Sequence, residues 1–241
     1  MTSGLMNLQR HRVQEIMDRP DLPGDEHEAA LDSLATANRV SRTAGIMFAP
    51  ILELAVRRGL RELSLLDVAC GGGDVPVAIA RLGSRNGVKI KLTLLDKSPL
   101  AIRHTQAAAT EAGVECRTVA ADLLHGEAPG KFDVVTNSLF LHHLDESDVV
   151  GILRRMDAAA GRLLVISDLR RGVMSLAAVW TACHALSRNR IFQHDGPVSV
   201  RAAWTPGELA EMARRAGLGN FNIRRCWPWR MLLTREKPEA A

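Results

Sequence analysis

The sequence predicts an α/β protein with a mostly parallel sheet, because apolar strand patterns alternate with helical patterns along most of it. Strands are predicted near residues 64–69, 90–95, 115–120, 132–137 and 162–167. Helices are predicted near 74–83, 98–112, 145–159 and 173–187. This alternation is typical of parallel strands joined by right-handed crossovers, with helices on both faces. Ligands of such sheets bind beyond the carboxyl ends of the strands.

The stretch LLDVACGGGD, residues 65–74, carries the strongest local signal. It predicts a buried strand, a turn at Gly71–Gly73 and a helix that begins near Asp74. Consecutive glycines allow positive φ and let the backbone approach a ligand closely. Asp74 suits an N-cap and Pro76 the first helical turn, so the positive end of the helix dipole should point at the turn. The pattern predicts a nucleotide-type site.

The residues around this turn argue against dinucleotide and triphosphate ligands. Counted from Gly71, the third glycine of G-x-G-x-x-G falls on Pro76, and the Walker Gly-Lys-Ser/Thr is absent. Instead, acids end three successive predicted strands, at Asp67, Asp96 and Asp122. Asp67 suits a cationic amino group, and Asp96 can accept hydrogen bonds from both ribose hydroxyls. The acids favour an adenosine ligand with an amino-acid tail.

From about Leu63 to Leu169 the chain resembles the class I S-adenosylmethionine-dependent methyltransferases. The motifs, in family order, are LLDVACGGGD, LTLLDKSPLAI, AADLL, FDVVTNSLFLHHLD and GRLLVISDL. SLFLHHLD is most similar to the branch that contains quinone-biosynthesis and other small-molecule enzymes. Ala69 departs from the family pattern, in which a glycine is usual. The resemblance implies a Rossmann-like, mostly parallel seven-stranded sheet with helices on both faces, an antiparallel last strand and an N-terminal helical cap.

The same resemblance implies S-adenosylmethionine as cofactor and S-adenosylhomocysteine as product. The residues that it assigns to the cofactor are Asp67, Gly71, Gly73, Asp96, Lys97, Asp122, Leu123, Asn137 and Arg42. Arg42 is included because Asn38, Arg39 and Arg42 lie on neighbouring turns of the predicted cap. These residues either form a solvated face or place an arginine against the cofactor's carboxylate.

The N-terminal quarter has its own pattern. Residues 1–24 are polar and close on two prolines, which predicts an irregular segment or a loose helix. Apolar residues then recur near helical spacing up to residue 56, with interruptions at Gly45 and Pro50. For a chain of 241 residues that is 46% hydrophobic, we expect a helical arm or cap over 1–60 and a methyltransferase domain over 61–241.

Composition disfavours several other classes of function. Four cysteines without a C-x-x-C pair predict neither a metal site nor a disulfide framework. Without an apolar run of about 18 residues or a signal peptide, we expect a cytoplasmic protein with no membrane partner. The net charge is +4, but the arginines are dispersed, and the chain has no Tyr, five Phe and four Trp for stacking on bases. This distribution predicts no nucleic-acid partner.

The loop after the fourth predicted strand, residues 136–148, should hold the acceptor chemistry. Nucleobase- and amide-modifying members of the family carry Pro-Pro here, whereas this chain has Ser138 and Leu139 after Asn137. His142 and His143 follow, and a histidine titrates near neutrality as a general base should. Either histidine can instead be a packing residue. We favour His142 as the base, with an acid limb near its ordinary pKa of about 6.5.

Residues 188–204 lack periodicity and contain Gly196 and Pro197, which predicts an irregular, lid-like insertion. His194, Asp195 and Arg201 are second-rank site candidates, His194 among the possible catalytic residues. Thr205 to Glu208 has capping-box spacing and predicts a helix to about residue 216. Residues 220–226 and 229–235 are predicted to form a closing antiparallel pair.

The favoured function is therefore O-methylation of a small phenol or enol, such as an aromatic or polyketide-like metabolite. C-methylation of a quinol-like ring is the near alternative. RNA or DNA methylation is disfavoured by Ser138-Leu139, and a non-catalytic cofactor-binding partner protein is disfavoured because the binding motifs are intact. We expect a monomer or homodimer.

Overall fold

The computed structural model describes residues 8–19 and 21–238. Within this part of the chain the helices are α1 (Gly24–Val40), α2 (Thr43–Arg57), α3 (Asp74–Arg85), α4 (Pro99–Glu111), α5 (Glu146–Ala159), α6 (Val173–Leu186), α7 (Arg190–Ala202) and α8 (Pro206–Arg215). The strands are β1 (Glu62–Val68), β2 (Lys89–Asp96), β3 (Cys116–Ala120), β4 (Phe132–Ser138), β5 (Ala160–Leu169), β6 (Asn222–Cys226) and β7 (Arg230–Glu236). Short 3₁₀ turns lie at Ile16–Asp18 and Leu141–His143.

The seven strands form one sheet in the order β3-β2-β1-β4-β5-β7-β6. The first five pair in parallel, and β7 runs antiparallel to both β5 and β6. The predicted fold class is confirmed, including the antiparallel last strand. In this topology β1, β2, β4 and β5 all end at one edge, which β7 enters with Arg230 opposite Leu169.

Three apolar clusters hold helices on this sheet. One face packs against α2 and α3, through residues such as Ile51 and Ile79. The other packs against α5 and α8, through residues such as Ile152 and Met212. The third joins α1, α6 and α7 to the end of β5 and the start of β7. This third cluster lies at the carboxyl edge of the sheet. Its members are Ala37, Leu169, Val179, Cys183, Phe192, Val200, Ala203 and Trp229.

The segment predicted as an irregular insertion at 188–204 is instead largely helix α7, which corrects that prediction. Asn189 caps the helix by accepting a hydrogen bond from the Phe192 N–H. Gly196 packs so closely on Cys183 that a side chain would overlap its sulfur. Pro197 is accommodated inside the helix. Tertiary packing against α6 therefore overrides two residues that weaken helices in isolation.

The two predicted cap helices are present, but the break between them falls at Ser41 and Arg42. Gly45 and Pro50 lie inside α2, where burial of its apolar face compensates for their poor helix propensity. In the polar N-terminal segment, residues 8–15 are extended or irregular before the 3₁₀ turn. Residues 1–7, Pro20 and residues 239–241 lie outside the described residues. No helix in the described ranges is long and apolar enough to span a membrane.

Candidate active site

A cavity of about 990 Å³ opens at the carboxyl edge of the sheet. It is bounded by the glycine turn, the ends of β1, β2, β4 and β5, helices α1, α6 and α7, and an N-terminal arm that we define as residues 8–19. This volume is at the upper end of the range for small-molecule and cofactor sites. The edge that the strand pattern predicted for ligand binding therefore contains this cavity.

Helix α4 packs against the glycine turn through Thr105. Gly73 has φ +75°, and a Cβ there would lie 2.7 Å from Thr105 Cγ2, so a side chain would displace the turn. Thr105 donates a hydrogen bond to the Gly71 carbonyl at 2.6 Å. Gly71, with φ +52°, lines the cavity and has open space around its Cα. Ala69, at φ 54°, adopts the left-handed conformation that a glycine would take with less strain.

The acids after β2 and β3 line the next part of the wall. Asp96 accepts hydrogen bonds from the backbone N–H of Gly71 at 3.0 Å and of Ser98 at 2.8 Å. Each oxygen of its carboxylate retains a lone pair for a further donor. The Asp122 carboxylate instead accepts a hydrogen bond within its own loop, from the Leu124 N–H at 2.8 Å. Cavity-lining residues predicted from this region are Asp96, Lys97, Asp122 and the buried Leu123.

Asp67 and Asn137 are fully buried behind the cavity wall and do not line it. Asp67 accepts a hydrogen bond from Thr136 Oγ1 at 2.5 Å, and its second oxygen has no partner. Burial, reinforced by the charges of Asp74 and Asp96, raises the pKa of Asp67 to about 7. Asn137 donates to the Val68 carbonyl at 2.7 Å. Both side chains support the strand ends from behind.

His142 is 2% exposed and stands between two buried carboxylates. Its Nδ1 lies 2.7 Å from Asp168 Oδ1, and its Nε2 lies 3.6 Å from Glu15 Oε1 of the N-terminal arm. Burial alone would lower the pKa of His142, but Asp168 and Glu15 together raise it to about 10. Burial would also raise the pKa of each carboxylate, yet the adjacent imidazole holds both below their ordinary values. The cluster therefore carries an imidazolium at neutral pH.

The other predicted histidines differ in position. His143 is half-buried, lines the cavity and lies 3.2 Å from Asp18 of the arm. His194 projects from α7 with half of its side chain exposed, pairs with Asp195 at 2.9 Å and does not line the cavity. The structure therefore separates His194 from the other two, which corrects its place among the catalytic candidates. Arg201 is exposed as well.

Asp195 docks the N-terminal arm. Its two carboxylate oxygens accept hydrogen bonds from the backbone N–H groups of Ile16 and Met17, each at 3.0 Å. Ser199, one turn further along α7, donates to Glu15. At the far end of the arm, Arg10 lies 3.6 Å above the Trp204 ring. These contacts close the arm over one side of the cavity.

Glu15, His142 and His143 offer potential metal-ligand atoms that all lie within 4.8 Å of one another. The sequence pattern did not indicate this grouping, because Glu15 comes from the distant arm. In the structure each of the three residues is already paired, Glu15 with His142 and Ser199, and His143 with Asp18. The expectation of no metal stays a prediction.

Arg42, predicted to reach a cofactor carboxylate, is exposed and does not line the cavity, which corrects that assignment. It occupies the left-handed N-cap position of α2, with φ 52°. A different arginine, Arg230 at the start of β7, is 2% exposed and lines the cavity. It donates to Asn38, which in turn donates to Asp74 at 3.0 Å.

Several of these residues were missed from the sequence. Asp168 is the last residue but one of β5, as Asp67 is of β1, and Asp96 is the last residue of β2. An acid at the end of a strand was therefore the signal that could have found Asp168. Glu15 and Arg230 had no comparable signal, because each reaches the cavity from a terminal segment through contacts made only in the folded chain.

Comparison with known proteins gives a consistent result. Residues 65–160 match a family model described as a methyltransferase domain. A ubiquinone biosynthesis O-methyltransferase from Pseudomonas paraeruginosa is 31% identical over 164 residues, which cover 67% of each chain.

Two solved structures have a similar fold. Magnesium protoporphyrin IX methyltransferase from Synechocystis, with bound S-adenosylhomocysteine, has a TM-score of 0.55 at 16% identity over 82% of this chain and 83% of that one. An O-methyltransferase family 2 protein from Planctomyces limnophilus, in complex with apigenin, has a TM-score of 0.61 at 16% identity over 91% of this chain and 63% of that one.

Proposed function

Because the chain belongs to the class I S-adenosylmethionine-dependent methyltransferases of small molecules, we propose that it methylates a hydroxyl oxygen of a phenol or enol. The observation that carries this proposal is His142, which lines the same cavity as the glycine turn and is oriented through Nδ1 by Asp168. An oxygen acceptor needs such a group because its proton must leave during transfer. The name of the Pseudomonas paraeruginosa relative, an O-methyltransferase, supports an oxygen acceptor.

S-adenosylmethionine is the cofactor, and the residues present fit it. The open backbone at Gly71, the support of Gly73 by Thr105 and the free lone pairs of Asp96 form a cradle for an adenosine. Asp96 would hold the ribose hydroxyls, and the buried Leu123 would contact the adenine. When bound, the cofactor supplies a methyl group that its sulfonium charge has already activated. The chain's own residues then have to position the acceptor, exclude water and take a proton.

We assign the proton to Nε2 of His142. Asp168 fixes the ring through Nδ1 and stabilises the imidazolium that forms. In the structure the Glu15 carboxylate already faces Nε2 at 3.6 Å, which favours the charged form before any substrate arrives. Glu15 must therefore move away from Nε2, or the pH must rise, before His142 can accept a proton. Movement of the arm during substrate entry would meet this need.

The walls near His142 favour a compact, largely apolar acceptor. The third apolar cluster supplies Leu169, Val179, Phe192 and Trp229 to the cavity, and Leu139 and Phe140 follow β4. A cofactor and its acceptor must share about 990 Å³, which leaves room for a small ring system. Apolar walls beside the His142 imidazole suit a phenol better than a polyanion.

The experiment is transfer of labelled methyl from S-adenosylmethionine to a panel of phenols, enols, quinols and bulk RNA and DNA. We expect label in the phenol or enol fraction, and nucleic acid at background. Nuclear magnetic resonance of the product then distinguishes a new oxygen-methyl bond from a carbon-methyl bond. Label only on ring carbon, or robust labelling of RNA or DNA, would overturn the proposal.

A further inference from the structure

Arg230 is a buried cation in the cavity wall that the proposed function does not yet use. One of its terminal nitrogens, Nη2, donates to Asn38 Oδ1 at 2.5 Å. The other two side-chain nitrogens, Nε and Nη1, are buried and have no hydrogen-bond partner. Burial lowers the pKa of Arg230 to about 10, so the guanidinium is charged at neutral pH. A buried charge with unpaired donors is unfavourable, and this cost disappears when a matching anion binds.

The acids near Arg230 are engaged by other groups. Asp168 accepts hydrogen bonds from Nδ1 of His142 at 2.7 Å and from its backbone N–H at 3.2 Å. Asp74 accepts from Asn38 Nδ2 at 3.0 Å, which places one neutral amide between Asp74 and the guanidinium. Arg230 therefore has donors for an anion that the described residues do not supply.

The order of the strands places Arg230 on the acceptor side of the cavity. Along the carboxyl edge, Asp96 ends β2, His142 follows β4, and Arg230 begins β7, so β1, β4 and β5 lie between Arg230 and the proposed ribose site. In the register of the sheet Arg230 is opposite Leu169, the residue after Asp168. His142 is bonded to that same Asp168, so the base and the guanidinium adjoin the end of one strand.

The surroundings of Arg230 suit a flat ring with one negative substituent. Trp229 precedes Arg230 and Leu169 is opposite it, and both belong to the third apolar cluster and line the cavity. A guanidinium matches the planar geometry of a carboxylate. One positive charge in apolar surroundings suits a singly charged carboxylate better than a doubly charged phosphate.

We propose that Arg230 binds a carboxylate of the methyl acceptor, so that the substrate is a phenol or enol that also carries a carboxylic acid. Asn38 holds the guanidinium through Nη2, and the substrate takes the remaining donors while its hydroxyl reaches His142. This inference rests on the proposed O-methylation for the role of the hydroxyl. The carboxylate site itself is testable by binding, without methyl transfer.

The binding test is calorimetric titration of protein saturated with S-adenosylhomocysteine. The probes are the ortho, meta and para isomers of hydroxybenzoate and the matching uncharged hydroxybenzamides. Wild type should bind at least one hydroxybenzoate about 10- to 100-fold more tightly than its amide, the scale of a charged hydrogen bond.

Variants of Arg230 assign that preference to the guanidinium. Arg230→Gln should abolish the preference for the acid and leave the affinities for the amide and for S-adenosylhomocysteine unchanged. Arg230→Lys should keep part of it, because the charge remains but the fork is lost. Arg42→Gln, on the exposed arginine, is the matched control and should behave as wild type.

Methyl transfer separates this inference from the proposed function. Arg230→Gln should raise KM for the labelled hydroxybenzoate by about 10- to 100-fold with little change in kcat, since binding and not proton transfer is affected. If hydroxybenzoates bind through Arg230 but no oxygen is methylated, the carboxylate site stands and the O-methylation fails. If acids and amides are methylated equally well, the O-methylation stands and the carboxylate site fails.

Three further results would overturn the proposal. Equal affinity of wild type for acid and amide in every isomer would do so, and this measurement needs no variant if Arg230→Gln does not fold. Absence of binding by all three hydroxybenzoates would do so as well. Weaker binding of S-adenosylhomocysteine by Arg230→Gln, with the preference for the acid retained, would show that Arg230 acts on the cofactor instead.

Discussion

The two sides of the cavity are built in different ways. The glycine-turn side is made by neighbouring segments, β1, the turn, α3 and the end of β2, and it depends on backbone conformation and main-chain hydrogen bonds. The arm side joins the N-terminal arm to the 3₁₀ turn at Leu141–His143 and to α7, and it depends on buried ion pairs such as that of Glu15 with His142. The first side suits a ligand that is always the same, and the second is held by contacts between segments that are distant in sequence.

This difference has a mechanistic consequence. Main-chain hydrogen bonds at the glycine turn, such as that from the Gly73 N–H to the Cys70 carbonyl at 2.9 Å, join groups that do not titrate. The arm is held mainly by side-chain contacts to backbone groups and carboxylates, whose strength changes with protonation. We therefore expect substitutions on the turn side to change cofactor binding and folding, and substitutions on the arm side to change turnover and its pH dependence.

The largest effect should come from His142. His142→Gln keeps a neutral hydrogen-bonding side chain but cannot accept the proton, so kcat should fall by roughly 10²- to 10⁴-fold. Affinity for S-adenosylhomocysteine should be nearly unchanged. Both His142→Gln and His142→Ala should also lose stability at neutral pH, because neither variant keeps a positive charge between the two buried carboxylates, and alanine removes the hydrogen bonds as well.

His143→Ala is the matched control for that change. It removes the adjacent, half-buried ring and should reduce kcat far less. Steady-state kinetics with the substrate found in the labelling screen make the comparison. Full activity in His142→Gln would place the base elsewhere on the arm side, with Glu15 the next residue to change.

On the turn side, Asp96→Ala should weaken cofactor binding by about 2–4 kcal/mol, since it removes the predicted acceptor of the ribose hydroxyls and the support of the Gly71 N–H. Asp122→Ala should cost less, because that carboxylate is engaged by its own loop. Calorimetry with S-adenosylhomocysteine measures both. Equal affinities for wild type and Asp96→Ala would contradict the ribose assignment.

Gly73→Ala tests whether the turn depends on its backbone. The new Cβ would meet Thr105 at 2.7 Å at a φ of +75°, so we expect a loss of about 2–4 kcal/mol of unfolding free energy in urea titrations. Gly113→Ala is matched in conformation, with φ +65°, but has nothing within 4 Å of the Cβ. It should lose only about 1–2 kcal/mol from backbone strain. Similar losses in the two variants would mean that the contact with Thr105 is unimportant.

The smallest expected effect is a shift in the pH dependence of the rate in the Glu15→Gln variant. A base must be neutral, so activity rises as the pH increases through the pKa of His142, which is about 10 with both carboxylates in place. The wild-type acid limb should therefore lie above the value of about 6.5 expected for an ordinary histidine. Removing the charge of Glu15 lowers that pKa, and the limb should move to lower pH.

Glu15→Gln should also change the stability of the fold. Activity rises with pH, whereas the stabilisation that depends on Glu15 is greatest at low pH. An imidazolium with a raised pKa stabilises the fold fully below about pH 6.5, and this stabilisation is lost as the pH rises through about 10. Glu15→Gln should therefore lower the thermal midpoint more at pH 6 than at pH 10. Identical pH profiles of rate and stability in Glu15→Gln and wild type would exclude coupling of the arm to His142.

The sequence by itself was sufficient for the sheet, its order of elements and the turn side of the cavity. Alternating strand and helix patterns, three glycines and acids at strand ends are local signals, because each reports the conformation of its own segment. They placed Gly71, Asp96 and Leu123 in the wall where the structure has them. Local signals failed at α7, where Gly196 and Pro197 indicated a loop and packing on α6 stabilises a helix.

Only the tertiary structure decided how charge is arranged in the cavity. Arg42 and Arg230 are both plausible cations in the sequence, yet Arg42 is exposed before α2, and strand β7 brings Arg230 to Asn38 from 192 positions away. Glu15 likewise reaches His142 only because Asp195 and Ser199 of α7 hold the arm. Pairings between distant segments depend on the packing of the whole chain, and no local pattern of residues encodes them.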